Sequence, residues 1–277
     1  MTQRPWMSHY ADDVEPDLAE IPFAHLPAMI RHSGSAYSGT IAFTQCMPNG
    51  MNGSLTYAQV DALSDEFAAY LREVVGLEQG DRVAVQMPNC LAYPVVAFGI
   101  MKAGCVLVNT NPLYTPTEMV HQFSDSGAKA LVVIDMFADR LPEVLPKTSI
   151  ETVVTVRISE FFPPVIAGVI RMVQKFWNRS LPAITVEHTA FQAALGAGRA
   201  AKSAEALTGY LEGIGPDSIA ALQYTGGTTG VSKGAMLSHG NLVSNTLQMI
   251  QMCGGYMRPG LETVLTALPL YHVFAFT

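Results

Sequence analysis

Residues Tyr224 to Gly234 read YTGGTTGVSKG, a segment whose glycines, hydroxyls and lysine suit a polyphosphate. Gly226, Gly227 and Gly230 admit backbone conformations closed to other residues, so consecutive N–H groups can turn towards an anion. Thr225, Thr228, Thr229 and Ser232 add hydroxyl donors, and Lys233 supplies a mobile positive charge. The segment is not a Walker A loop, because Lys233 follows Ser232 and precedes Gly234, where G-x-x-x-x-G-K-[ST] is required. The dinucleotide fingerprint G-x-G-x-x-G fails as well, since the glycines run G-G-x-x-G. Strand-like flanks, Ile219 to Gln223 and Ala235 to Leu237, leave a strand-loop-strand phosphate clasp. The plain alternative is a glycine-rich turn between two strands.

Other residues carry weaker chemical signals. Ser238 is placed to cap a helix that begins near Asn241, so His239 and Asn241 read as loop-fixing residues. His272 stands between Tyr271 and Phe274, and a core histidine satisfied by backbone is the alternative to a functional one. His25, His121 and His188 show no mutual spacing that suggests a metal site or triad. Cys46, Cys90, Cys105 and Cys253 lack C-x-x-C spacing and read as free thiols in a reducing compartment.

The surrounding elements alternate. Thr56-x-x-Gln59 is a capping box, and Val60, Leu63, Phe67, Leu71 and Val74 follow at helical spacing until Gly76. Arg82 to Met87 reads as a strand, Leu91 to Ala103 as a helix stopped by Gly104, and Cys105 to Asn109 as the next strand. Thr115-Pro116-Thr117-Glu118 opens a helix to Ser126, before a strand from Ala130 to Ile134. This order predicts an α/β fold with helices on both faces of mostly parallel sheets. Leu195 to Glu212 is small and polar and reads as a connection, which places a boundary near Ser203 between units 1–202 and 203–277.

Between them, Ser159 to Leu181 is distinct. Arg171, Lys175 and Arg179 recur every four residues beside Val165, Ile166, Val169, Ile170, Val173, Phe176 and Trp177. This predicts a helix with a cationic stripe and a broad apolar surface, suited to an anionic bilayer or else to ordinary packing on the sheet.

Composition excludes several classes. The chain of 277 residues is 49% hydrophobic and carries a formal net charge of −7, which suits a folded body with a sizeable core and disfavours nucleic acid. Asp12, Asp13, Glu15, Asp17 and Glu20 lie where a secretory signal would need a basic and then an apolar stretch. The most hydrophobic window, Leu91 to Val108, is cut by Lys102 and Gly104 and reads as a buried helix and strand. The expected location is the cytoplasm, with peripheral contact at the inner face of the membrane through 159–181.

YTGGTTGVSKGAMLSHGNL resembles the phosphate-loop signature of the acyl-adenylate-forming superfamily, and the stretches Leu55–Asp135 and Leu268–Thr277 carry further resemblance to that superfamily. Among its members, the bacterial long-chain fatty acid:CoA ligases are most similar. The pattern departs at Val231-Ser232, where many members have a proline before the lysine. The resemblance implies two α/β lobes of an N-terminal body, with the second lobe cut short at Thr277 and the chain inactive alone. It implies ATP, Mg2+ and coenzyme A as reactants or cofactors, a medium- or long-chain fatty acid as substrate, and conversion of the acid to acyl-AMP and then acyl-CoA.

By the same resemblance, Tyr224, Thr225, Gly226, Gly227, Thr228, Thr229, Gly230, Val231, Ser232, Lys233, Gly234 and Ala235 hold the nucleotide. Lys233 and His272 are the catalytic residues it implies, His272 bordering the acyl pocket, and Thr225 is the metal contact. A homodimer is expected. An aryl-acid CoA ligase and a non-catalytic nucleotide- or membrane-binding module are the alternatives, ahead of a kinase or ordinary NTPase.

Overall fold

The computed structural model describes residues 4–12, 14–18, 20–225, 232–253, 256–272 and 275. After α1 (Leu26–Ala36), a two-stranded antiparallel hairpin is formed by β1 (Ile41–Cys46) and β2 (Asn52–Thr56). The next elements are α2 (Tyr57–Ala69), continued by a π-helical turn Tyr70–Val74, then β3 (Arg82–Gln86), α3 (Ala92–Lys102) and β4 (Val106–Asn109). They are followed by α4 (Pro116–Ser126), β5 (Ala128–Ile134), α5 (Leu141–Val144) and β6 (Thr152–Val156). Next come α6 (Pro164–Met172), extended by a π-helical turn Val173–Trp177, β7 (Thr189–Ala190), α7 (Phe191–Ala201) and α8 (Ala204–Gly209). A hairpin of β8 (Ile219–Thr225) and β9 (Lys233–Ser238) leads into α9 (His239–Cys253).

Strands β3 to β9 form one seven-stranded sheet in the order β7-β6-β5-β3-β4-β8-β9, parallel throughout except for the antiparallel pairing of β9 on β8. Alternation along each strand divides the core in two. Val83, Val85, Leu107, Val132 and Val154 face a cluster shared with α1, α2, α3 and α7. Ala84, Val108, Leu131, Val133 and Val153 face a second one, shared with α4 and α5. Helices therefore cover both faces, as the alternation of elements implies. Strand β8 lies beyond the junction expected near Ser203, yet it pairs with β4 at Leu107↔Ala221 and Asn109↔Gln223 within the same sheet.

Local signals act where they stand in the chain. Both capping boxes close: Thr56 with Gln59 starts α2, and Thr115 with Glu118 starts α4 behind Pro116. Gly127 ends α4 in the left-handed region at φ 63°, which a side chain would oppose. Ser238 and Asn241 exchange hydrogen bonds of 3.0 and 3.1 Å at the start of α9.

Two regions differ from the reading by composition. Leu195 to Glu212 is largely helical, in α7 and α8, rather than a connection. The reason is packing: a Cβ at Gly198 would lie 1.9 Å from the Glu66 carbonyl oxygen, so its glycine lets α7 press against α2. Arg199 then forms a two-point ion pair with Glu66, at 2.8 and 3.0 Å. The proposed charge stripe on 159–181 is also incomplete. Only Arg171 and Lys175 lie on the helix; Arg179 sits beyond it at φ 50°. Arg171 is held by Asp135 at 2.6 Å and so is drawn inward.

A buried ion cluster joins three helices. Lys102 of α3 is fully buried and donates to Asp61 Oδ1 at 2.5 Å and Asp65 Oδ1 at 2.8 Å on α2, while Arg31 of α1 lies 3.4 Å from Asp65. The four cysteines are free thiols; Cys90 and Cys105 are buried, and burial pushes both up to about 12.

Candidate functional site at the carboxyl edge of the sheet

In open parallel sheets, ligands bind outside the carboxyl ends of the strands, and the chemistry-bearing residues of this chain collect there. The hairpin of β8 and β9 brings Thr225 opposite Lys233 and Tyr224 opposite Gly234. Thr225, Lys233 and Ala235 are exposed, whereas Tyr224 is buried and Ser232 and Gly234 are half-buried. Gly226 to Val231 lie outside the described residues.

Both legs of this hairpin are tied to one helix. The Tyr224 hydroxyl donates to Asp125 Oδ2 at 2.5 Å. Burial first, and the neighbouring carboxylate second, push that phenol well above its usual range, which keeps it a donor. Gly234 makes room for the ring, since a Cβ there would meet Tyr224 Cε2 at 3.0 Å. On the other leg, His121 Nε2 is 3.1 Å from the Ser232 carbonyl oxygen, so that nitrogen carries the proton. The Tyr114 phenol is hydrogen-bonded to the Ser232 side chain, and burial leads the causes that raise its pKa. His121 and Asp125 stand four residues apart on α4, which places them on one face. His121 lacks a histidine partner at metal or triad spacing; the signal the sequence carries for it is the i, i+4 relation to Asp125.

The second half of the site is the segment before His272. Asn89 Nδ2 donates to the carbonyls of Thr266 and Leu268, at 3.3 and 2.8 Å, and Asn89 Oδ1 accepts from Leu270 N at 2.7 Å. Gln223 Nε2 donates to the Tyr271 carbonyl at 2.9 Å. His272 itself is exposed, which disposes of the core-histidine alternative. By contrast, His239 is buried and its Nδ1 accepts from Leu26 N at 3.4 Å, as befits a structural residue.

Gln223, which precedes Tyr224 on β8, touches the His272 segment, so the two halves of the site meet on one strand. Among the described residues there is no group of three or more His, Cys, Asp and Glu that could hold a metal ion. A Mg2+ ion carried mostly by substrate phosphates needs few protein ligands, and the exposed Thr225 hydroxyl fits that limited role. A groove of about 490 Å³ opens at the other end of the strands, lined by Gly80, Arg82, Gly104 and Ser126. It is a poor rival: Arg82 is already committed to the Ser126 and Gly80 carbonyls.

The fold is an α/β body whose mostly parallel sheet carries the two legs of the β8–β9 hairpin, Tyr224-Thr225 and Lys233-Gly234, at its carboxyl edge. The model of the AMP-binding enzyme family matches residues 30–277, and the chain belongs to that family. It is 39% identical over 274 residues to a long-chain-fatty-acid–CoA ligase of Salmonella typhimurium, covering 98% of this chain and 47% of that protein. A 4-coumarate–CoA ligase-like protein of Oryza sativa subsp. japonica is 32% identical over 257 residues, covering 91% of this chain and 39% of the relative. The fold is shared with a long-chain-fatty-acid-CoA ligase from Archaeoglobus fulgidus, with a TM-score of 0.69 and 23% identity over 96% of this chain and 46% of that structure. The chain thus spans between 39% and 47% of the length of these relatives.

Proposed function

We propose that this chain is the N-terminal portion of a fatty acid:CoA ligase, which activates a medium- or long-chain fatty acid with ATP and passes the acyl group to coenzyme A. The observation that carries the reading is the 39% identity to a long-chain-fatty-acid–CoA ligase across 98% of the chain. The lower identity to the 4-coumarate–CoA ligase-like protein makes an aryl acid the less favoured substrate.

In this reading the fatty carboxylate attacks the α-phosphorus of ATP, forming acyl-AMP and releasing pyrophosphate; the coenzyme A thiolate then displaces AMP. The first step brings like charges together, so preorganised donors on the leaving pyrophosphate lower its barrier. Tyr224, Thr225, Gly226, Gly227, Thr228, Thr229, Gly230, Val231, Ser232, Lys233, Gly234 and Ala235 form the proposed phosphate clasp. Lys233 orients the β- and γ-phosphates. Thr225 offers its hydroxyl to Mg2+, which when bound supplies further charge neutralisation. His272 is assigned to the acid, as a hydrogen-bond donor to the carboxylate or the acyl phosphate. Support for this division of labour comes from the placement of Lys233 and His272 on connected parts of the carboxyl edge.

Peripheral membrane contact through α6 and its π-helical extension is part of the same proposal. Val165, Phe176 and Trp177 are 80%, 70% and 86% exposed, next to the exposed Lys175 and Arg179. An aromatic, basic rim of this kind suits the headgroup region of an anionic bilayer. No helix among the described residues is long and apolar enough to cross a membrane.

The test is carboxylic-acid-dependent ATP–pyrophosphate exchange by the full-length protein, offered fatty and aromatic acids side by side. Exchange with fatty acids, lost about a hundredfold in Lys233→Ala with the melting temperature unchanged, is the expected result. Preference for aromatic acids would move the protein to the aryl-acid class, and no exchange with either would refute the ligase reading.

A further inference from the structure

We propose that Asn89, Tyr93 and Gln223 are positioning residues which set where His272 stands, and thereby govern how the protein uses its carboxylic acid. The inference rests on the ligase reading above and deepens it. Three elements converge on one stretch of chain: Asn89 from the turn after β3, Tyr93 from α3 and Gln223 from β8. Asn89 makes three hydrogen bonds to the backbone at Thr266, Leu268 and Leu270. The Tyr93 hydroxyl lies 2.8 Å from the Leu270 carbonyl oxygen, and Gln223 reaches the next carbonyl, that of Tyr271.

These side chains belong to a buried polar chain. Asn109 Oδ1 is 2.7 Å from the Tyr93 hydroxyl, Asn109 Nδ2 donates to Gln223 Oε1 at 3.2 Å, and Gln122 Nε2 donates to the Asn109 carbonyl at 2.8 Å. Tyr93 and Asn109 are each 2% exposed and Gln223 5%. Amides and a phenol at such depth add little stability over apolar residues of the same shape, yet they impose geometry because each must keep its partners. The stretch they hold has almost nothing else to fix it. From Leu261 to Pro269 every residue is exposed, and of the apolar side chains between Leu261 and Leu270 only Leu270 packs against the core. Side-chain bonds to its backbone, rather than burial, decide its path, and His272 follows within two residues.

The Tyr93 hydroxyl has one proton and two acceptors, the Leu270 carbonyl and Asn109 Oδ1.

The experiment compares full-length wild type with Asn89→Ala and Tyr93→Phe in ATP–pyrophosphate exchange, varying fatty acid and ATP separately, and follows deuterium exchange at the Leu270 amide. The expected result is a roughly tenfold loss of kcat/KM for the acid, a KM for ATP within about twofold of wild type, and faster exchange at Leu270 in Asn89→Ala. Faster Leu270 exchange with unaltered acid kinetics would overturn the inference, since the segment's position would then not matter. Parallel losses for acid and ATP that track the melting temperature would reduce these residues to structural ones. Asn89 is on a half-buried turn, so its variant remains informative if Tyr93→Phe folds poorly. Absence of exchange in the wild type would instead refute the ligase reading, a failure distinguishable from the other two.

Discussion

The bond between Tyr224 and Asp125 offers the sharpest check on how the β8–β9 hairpin is held. Tyr224→Phe keeps the ring against Gly234 and removes only the hydroxyl that donates to Asp125 at 2.5 Å. A hydrogen bond to a charged acceptor is worth about 1.5–3 kcal/mol, but Asp125 is exposed and water competes for it, so about 1 kcal/mol is the expected loss. In a protein of this size that corresponds to a fall in melting temperature of about 2–4 °C. If the bond also steadies the phosphate clasp, KM for ATP rises about fivefold, the same free energy expressed in binding.

Asp125→Asn keeps an acceptor and loses the charge, so it should cost about half as much. The assay is a double-mutant cycle by thermal melts, with ATP–pyrophosphate exchange run on the same four proteins. Coupling of about 0.5 kcal/mol is expected, since Asp125→Asn should cost nothing further once the hydroxyl is gone; additivity within about 0.3 kcal/mol would refute the reasoning, because residues sharing a bond cannot act independently. The phenol stays protonated across neutral pH, so the effect should not vary from pH 6 to 8.

Burial, and then the charge of His25, push His239 down to about 4, so the native state refuses a proton that the unfolded chain accepts near pH 6.5. Stability is therefore full above about pH 6.5 and falls as pH drops towards 4, by up to about 1.4 kcal/mol per unit; denaturant titrations should show this slope flattened in His239→Gln. Lys102→Met leaves Asp61 and Asp65 side by side without their buried cation and should cost about 3 kcal/mol, read as a lower denaturation midpoint; a loss below about 1 kcal/mol would contradict the cluster. In sedimentation with phosphatidylserine vesicles, Phe176→Ser combined with Trp177→Ser should abolish pelleting and Lys175→Glu with Arg179→Glu should weaken it, whereas Arg171→Glu should disturb folding through Asp135; equal pelleting of all variants with wild type would refute the membrane reading.

Much of the fold was legible along the chain because its determinants are local. The capping boxes at Thr56 and Thr115, the glycine stop at Gly104 after α3 and the apolar runs of β3, β4 and β5 each depend on residues a few positions apart. The expectation of a phosphate clasp arises from the same kind of signal: glycines, hydroxyls and Lys233 lie in one continuous segment. Where a residue's meaning depended on a distant partner, composition misled. Gly198 looked like a loop residue until Glu66 of α2 stood against it, and Arg171 looked like part of a surface stripe until Asp135 drew it inward.

The candidate site divides along the same line. Sequence alone determined that alternating strands and helices would build the sheet, and it supplied the segment proposed to meet a phosphate, since spacing and backbone preference are properties of neighbouring residues. Only the tertiary structure decided that His121 and Asp125 hold the two legs of that hairpin, and that Asn89, Tyr93 and Gln223 hold the approach to His272. Partners separated by 48 to 181 positions come within hydrogen-bond reach only once the sheet has ordered its strands, and no period or motif in the chain encodes that proximity.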